Sequence, residues 1–100
     1  TVDKESFTKV VLVEFPRKGV HALAFVTGKT RGELQRLTGD NHISIFIPTT
    51  PNPTSGFVIF TDPSEVIELD MTIEEGIKYV ISGGIVTPEQ ARKLIEDARV

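Results

Sequence analysis

The sequence contains no cysteine, so it offers neither a disulfide framework nor a thiolate metal site. Its 11 Lys and Arg residues are outnumbered by 14 Asp and Glu residues, which gives a formal net charge of −3. General nucleic-acid binders usually carry a basic patch or stripe, so we expect no nucleic-acid partner. Long apolar runs are also absent. The longest candidates, such as Val80–Val86, fall well short of the roughly 18–20 residues needed to span a bilayer.

The size and composition of the chain predict one small globular domain. It has 100 residues, of which 39% are hydrophobic and 25% are charged. This is enough apolar material for one modest core and too short a chain for two domains. We expect a single domain over residues 7–100, preceded by a frayed polar segment, Thr1–Ser6.

Apolar segments in the first two-thirds of the chain predict strands. The segments are Val10–Val13, Val20–Thr27, Asn41–Ile47, Phe57–Thr61 and Val66–Leu69. The β-branched run Val10–Val13 is typical of a strand covered on both faces. The turn Pro16–Gly19 predicts that the first two strands form an antiparallel hairpin. In Asn41–Ile47, three isoleucines at alternate positions predict one deeply buried face.

Between the second and third strands, the segment Gly28–Asp40 is polar and leaves two readings open. Glu33–Leu37 could form a short helical turn, or the whole segment could be a surface loop. Leu34 and Leu37 are its apolar anchors.

The last third of the chain carries two helix signals. Thr72 and Glu75 match a capping box, and Gly83 follows the apolar-periodic residues as a helix stop. Thr87, Pro88 and Gln90 form a second start signal. The apolar stripes are Ile73, Ile77, Val80 and Ile81 in the first helix, and Ala91, Leu94, Ile95 and Ala98 in the second. Arg92, Lys93, Glu96 and Asp97 are expected to face water.

Strands first and helices last predict an α+β fold. We expect a mostly antiparallel sheet of four to five strands from the N-terminal two-thirds of the chain. Two C-terminal helices pack on that sheet.

Residues that could carry chemistry are few and scattered. His21 and His42 fall in predicted strands without the converging ligands that a metal needs. The carboxylates are assigned structural roles; they are Glu74 and Glu75 at a helix start, and Glu65, Glu68 and Asp70 around a short strand. We therefore assign no catalytic residue, metal or cofactor.

The segment Pro48–Gly56 is the most unusual part of the sequence. Three prolines in six residues are expected to prevent both a regular helix and ladder pairing. The segment joins two apolar strands that we expect to be buried. Its candidate binding residues, which offer hydroxyls and an amide but no charge, are Thr49, Thr50, Asn52, Thr54 and Ser55. Such a loop can be a structural connector or a preorganised recognition surface, and both readings stay open.

The string IFIPTTPNPTSGF, Ile45–Phe57, resembles the signature of the domain-of-unknown-function 502 family, which includes the plant continuous-vascular-ring proteins. Other segments resemble the family's first hairpin and its C-terminal block; they are Val11–Gly19, Phe25–Gly28, Val66–Thr72 and Ile81–Val86. Gly76 departs from an expected alanine and should weaken its helix by roughly 0.5–1 kcal/mol. His21 stands where an aromatic residue is common.

The resemblance implies transmembrane helices upstream of this region, so this chain would be the soluble part of a membrane-associated protein. Plant members are linked to vascular patterning and to trafficking through the Golgi and vacuole. The resemblance supplies no enzymatic activity or catalytic residues. The side of the membrane stays open.

Three functional hypotheses follow. The first is a non-enzymatic interaction or scaffolding domain with a protein partner or self-association; Arg17 and Lys18 at its hairpin turn either contact lipid head groups or form an ordinary exposed basic turn. The second is a small-molecule or peptide-binding module that uses Pro48–Gly56. The third is an enzyme whose site is completed by another subunit.

Overall fold

The computed structural model describes residues 7–98, which form a five-stranded sheet and three α-helices. The strands are β1 (Lys9–Glu14), β2 (His21–Lys29), β3 (Ile43–Pro48), β4 (Gly56–Thr61) and β5 (Val66–Glu68). The helices are α1 (Gly32–Thr38), α2 (Ile73–Ile81) and α3 (Pro88–Ala98), and a 3-10 turn spans Pro63–Glu65. The prediction for Thr1–Ser6 lies outside the described residues.

The sheet has the strand order β4-β3-β2-β1-β5, and every neighbouring pair is antiparallel. The first two strands form the expected hairpin, in which Glu14 lies opposite His21. The α+β prediction is confirmed. The expectation that the three prolines prevent ladder pairing is wrong at Pro48, which is the last residue of β3 and lies opposite Gly56.

The central strands are buried on both faces. Val10 and Val11, which point to opposite faces of β1, are fully buried, as the β-branched run predicts. In β3, Ile45 and Phe46 are both buried, so the prediction of one deeply buried face understated its environment. Each face has its own cover.

One face, called the curled face here, is covered by the curvature of the sheet itself. Its cluster contains Val11, Val13, Ala24, Val26, Ile45 and Ile47. Phe15, just after β1, contacts Phe57 of β4 with ring centroids 5.4 Å apart. In a flat sheet β1 and β4 would lie about 14 Å apart, because strand spacing is about 4.8 Å. The sheet must therefore curl toward this face.

The other face, called the helix face here, is covered by α2. Phe7, Val10, Phe25 and Phe46 form its sheet side, and Val80 of α2 packs into the same cluster. Phe7 stacks on Phe25 with ring centroids 4.7 Å apart. This stack places the residues just before β1 inside the core.

The ends of α2 and α3 form as their sequence signals predict. Thr72 Oγ1 accepts from the Glu75 amide at 3.1 Å, and Glu75 Oε1 accepts from the Thr72 amide at 3.0 Å, which completes the capping box. Thr87 and Gln90 exchange the same two hydrogen bonds at 2.9 and 3.2 Å. Gly83, with φ of 70°, ends α2 in the left-handed region that glycine tolerates.

Of the two readings of the segment between β2 and β3, the structure shows the helical one, α1. It also corrects the two apolar stripes. Ile81 is 52% exposed and Leu94 is 54% exposed; α3 packs mainly on α2, and neither side chain joins the core clusters of the described residues. The side chain of Ala91 lies outside the described part of the chain.

Candidate functional site

The loop between β3 and β4 is organised by hydrogen bonds among its own residues. The Thr49 amide donates to Ser55 O at 2.9 Å, and the Thr49 hydroxyl donates to the same oxygen at 3.2 Å. Asn52 Oδ1 accepts from the Thr54 amide at 3.0 Å and from the Thr54 hydroxyl at 2.6 Å. This is an Asx-type turn, in which a side-chain amide replaces a backbone acceptor.

Three of the five predicted binding side chains are therefore used within the loop. Thr49, Asn52 and Thr54 hold its shape through the bonds just described. Thr50 instead faces a cavity beside the loop. The loop connects β3 to β4 and is held in one shape by its own hydrogen bonds.

The cavity lies between this loop and the C-terminal end of α2. It has a volume of about 310 Å³. Its lining residues are Ala22, Leu23, Ile47, Pro48, Thr50, Tyr79, Val80, Gly83 and Gly84. The lining is mostly apolar and uncharged, and its volume lies at the lower end of the range for small-molecule pockets.

Gly56 allows the loop to close onto β3. A Cβ at this residue would overlap the backbone carbonyl of Ile47. The glycine in the PTSG segment therefore permits a close approach between the two strands at the base of the hairpin.

Beside the loop, β4 exposes apolar side chains that sequence reasoning placed in a buried strand. Phe57 is 53% exposed and Val58 is 62% exposed. The expectation that the loop joins two buried strands holds for β3 and is wrong for the first residues of β4. The reason is that β4 is an edge strand: Val58 lies on the helix face beyond the reach of α2, and Phe57 lies at the rim of the curled face, where it contacts Phe15.

Arg17 and Lys18 lie in the turn between β1 and β2, and both are exposed. Arg17 Nη1 donates to Lys18 O at 3.5 Å, which is a long contact. Glu14 accepts from the Gly19 amide and so fixes the turn. This turn and the β3–β4 loop are separate elements, and β2 and β3 lie between β1 and β4 in the sheet.

One ion pair differs from the expectation that Arg92 is simply solvated. Arg92 Nε donates to Glu75 Oε2 at 2.9 Å, and the Glu75 side chain is only 4% exposed. This hydrogen bond, followed by the one from the Thr72 amide, lowers the pKa of Glu75 against the opposing effect of burial. Glu75 thus caps α2 and also connects it to α3.

The remaining ionisable candidates do not converge. Among residues 7–98, no group of three or more His, Asp or Glu side chains is arranged to hold a metal ion. Asp62 accepts from the Ser64 amide at 2.9 Å, and this bond at the start of the 3-10 turn lowers the pKa of Asp62. No helix within the described part of the chain is long and apolar enough to cross a membrane.

These features define an α+β domain with a curled antiparallel sheet and a stiff, uncharged hairpin loop. A family model described as "Protein of unknown function (DUF502)" matches residues 1–55. This match covers more than half of the chain, which therefore belongs to the DUF502 family.

The chain is also similar to three proteins of Arabidopsis thaliana. Protein LIKE COV 1 and Protein CONTINUOUS VASCULAR RING 1 are each 27% identical to it over 86 residues, which is 85% of this chain. Protein LIKE COV 3 is 28% identical over 91 residues, or 89% of this chain. The chain spans only about a third of each relative, 31–32%. No solved structure matches it significantly.

Proposed function

We propose that this chain is a non-enzymatic interaction domain of a membrane-anchored protein. The observation that carries the proposal is the pair Phe57 and Val58, neighbouring residues that are both more than half exposed on the edge strand β4. Successive strand residues point to opposite faces, so a strand added at this edge would cover Phe57 on one face and Val58 on the other and remove both from water.

The rigid loop supports the same role. The side chains of Thr49, Asn52 and Thr54 are already hydrogen-bonded within the loop, so little of its conformational freedom remains to be lost when a partner binds beside it. The non-enzymatic part of the proposal is supported by the structural use of the best-placed acid, Glu75, which caps α2 and pairs with Arg92.

The membrane part of the proposal is supported by the family resemblance and by length. The relatives are about three times as long as the aligned region, so most of each protein lies outside it. The test is fractionation of the full-length gene product. We expect it to stay in the membrane pellet after alkaline carbonate extraction, and release into the supernatant would contradict an integral anchor.

Site-specific photo-crosslinking in the full-length protein tests the interaction role. A benzoylphenylalanine in place of Phe57 should yield a discrete adduct in cells, and the adduct should disappear when Val58→Lys is added. The matched control is the same probe in place of Leu37, an exposed residue of α1 (77% exposed). Adducts of equal yield from both positions, or none from residue 57, would contradict an interaction site at β4.

A second candidate function is supported by the cavity of about 310 Å³ beside the loop, which suits a small apolar ligand or one side chain of a peptide. Ligand-observed NMR with a library of apolar fragments would test it. Thr50→Phe, at a side chain that faces the cavity, should fill it and abolish binding, whereas Leu37→Ala, at an exposed side chain of α1, should leave binding intact. Fragments that bind both variants equally would place their site elsewhere.

A further inference from the structure

Among residues 7–98, no strand pairs with the outer edge of β4, so backbone hydrogen-bonding groups are open along it. The Thr49 amide donates to Ser55 O, so this pair is of the hydrogen-bonded type. Antiparallel pairs alternate in type along a ladder. The register then makes Phe46–Val58 a non-hydrogen-bonded pair. The amide and carbonyl of Val58, and likewise those of Phe60, therefore point away from β3 and toward the open edge.

The two edges of the sheet differ in how they are protected. The edge strand β5 has three residues, and its Glu68 pairs with Lys9 at 3.3 Å. Short, charged edges of this kind resist strand addition. β4 has six residues, GFVIFT, without a charge or a proline. Of the two edges, only β4 has the length and composition to accept another strand.

We propose that β4 pairs antiparallel with β4 of a second copy of this chain and joins the two sheets across a two-fold axis. This inference rests on the proposed interaction role and names its partner. A second β4 has the required extended backbone, no charge to repel its twin, and the same exposed Phe57 and Val58 to bury. In this pairing Val58 lies opposite Val58 of the second copy.

The geometry closes the assembly at two copies. A two-fold contact uses the β4 edge of both copies, and the β5 edges that remain are short and charged. Pro53 and Pro63 lie on either side of β4 and limit the length of the added ladder.

The interface is small. Six paired residues bury less than the 1,200–2,000 Å² or so of a stable interface, so the isolated chain should associate weakly. Attachment of both copies to one membrane would raise their effective concentration toward the millimolar range and populate the pair.

Cysteine crosslinking provides the first test, because the chain has no cysteine of its own. Val58→Cys, on the chain tethered to vesicles through an N-terminal His-tag and a nickel-chelating lipid, should form a disulfide-linked dimer under mild oxidation. The matched control is Ile67→Cys, since Ile67 is 58% exposed, lies on the helix face and belongs to the β5 edge. Equal crosslinking of both variants would overturn the proposal.

Substitution of Val58 by residues of opposite charge provides the second test. Dimerisation of the tethered chain is measured by energy transfer between labelled copies. Val58→Lys and Val58→Glu should each reduce the association constant by roughly tenfold or more, because like charges then lie opposite each other. A mixture of the two variants should restore association, which a folding defect could not do. Failure of the mixture to associate would overturn the β4 pairing.

The outcomes separate this inference from the proposed function. If the tethered chain stays monomeric but the full-length protein still gives a discrete adduct from residue 57, the partner is not a second copy of this chain. The proposed interaction role then stands. If neither association nor adduct is seen, both proposals fail.

Discussion

At the scale of single residues, Gly76 is explained by the packing of α2. A Cβ at this position would lie 3.0 Å from Phe25 Cε1 and 3.2 Å from Val10 Cγ2. Because the core is close-packed, the missing side chain lets the helix lie directly on the Phe25 ring. The sequence-based view of Gly76 as a weak point in the helix considered only its intrinsic propensity.

Substitution of Gly76 measures how tight this contact is. Gly76→Val should lower the free energy of unfolding by about 1–3 kcal/mol, because the larger side chain overpacks the helix–sheet contact. Gly76→Ala should be near neutral, since a gain of about 1 kcal/mol in helix propensity offsets the tight contact. Urea unfolding gives both values. Lys93→Val, on the exposed side of α3, is the control, and a similar loss there would contradict the packing explanation.

Glu75 should make stability depend on pH in the acid range. Its pKa is lowered in the folded chain, mainly by the hydrogen bond from Arg92. The stabilisation is therefore present above the unfolded value of about 4.3 and is lost as the pH falls through the lower folded value. Glu75→Gln keeps a capping side chain. It should lower the free energy of unfolding by about 1 kcal/mol at pH 7 and reduce the loss of stability at acid pH, the acid limb of the stability curve.

The check on Glu75 is urea unfolding at a series of pH values between about 2 and 7. Glu33→Gln, at an exposed carboxylate of α1, is the control and should leave the acid limb of the wild-type curve in place. An unchanged limb in Glu75→Gln would show that the ion pair with Arg92 contributes nothing to the pH dependence.

At the scale of elements, α3 is joined to the rest of the fold mainly through α2. It packs mainly on α2, and it leaves Leu94 more than half exposed. Elements with few buried contacts open locally at a lower free energy than the core. The stability of α3 therefore depends on its own cap more than on the sheet.

Removal of that cap should affect α3 alone. Thr87→Ala eliminates the bond from the Gln90 amide and should lower the opening free energy of α3 amides by about 1 kcal/mol. Hydrogen exchange measured by NMR should show no change for Phe25 and Ile45 in the central strands. Thr72→Ala, at the cap of the core helix α2, should by contrast accelerate exchange throughout. Equal global losses in both variants would contradict an independent α3.

The elements show what the sequence could predict and why the rest was missed. Capping signals such as Thr72 with Glu75 act across three residues, so the sequence contains both partners. The burial of Ile81, Leu94 and Val58 depends on which element lies over them, and those elements are distant in the chain. Helical spacing placed Ile81 and Leu94 in apolar stripes, and an apolar run placed Val58 in a buried strand. Periodicity encodes neither the strand order that leaves Val58 on an edge strand nor the packing of α3 on α2 that leaves Ile81 and Leu94 exposed.

At the scale of the whole molecule, the matched family segment and the folded unit differ. The family match ends at residue 55, within the β3–β4 loop. Beyond this residue, β5 pairs with β1, where Val11 lies opposite Glu68, and Val80 of α2 covers the helix face. The cooperative unit therefore extends well beyond the matched segment.

A fragment of residues 1–55 should consequently fail to fold. It would retain three strands but expose the helix face around Phe25 and Phe46, so its apolar burial could not offset the conformational entropy of folding. Circular dichroism and a two-dimensional amide NMR spectrum should show an unfolded chain, whereas residues 1–100 give dispersed peaks. A folded fragment would show that α2 is dispensable for the core.

The direction of β1 distinguishes the two ends of the sheet. At one end of the sheet, the chain enters β1 from Phe7, and α1 lies at this same end. β1 then runs about 20 Å to the opposite end, which carries the turn with Arg17 and the loop Thr49–Ser55. A tether joined ahead of Phe7 would hold the end of the sheet that carries α1 near the bilayer and place the loop on the side away from it. Arg17 would then lie beyond a Debye length of about 8 Å from the lipid charges, unless the domain tipped onto its side.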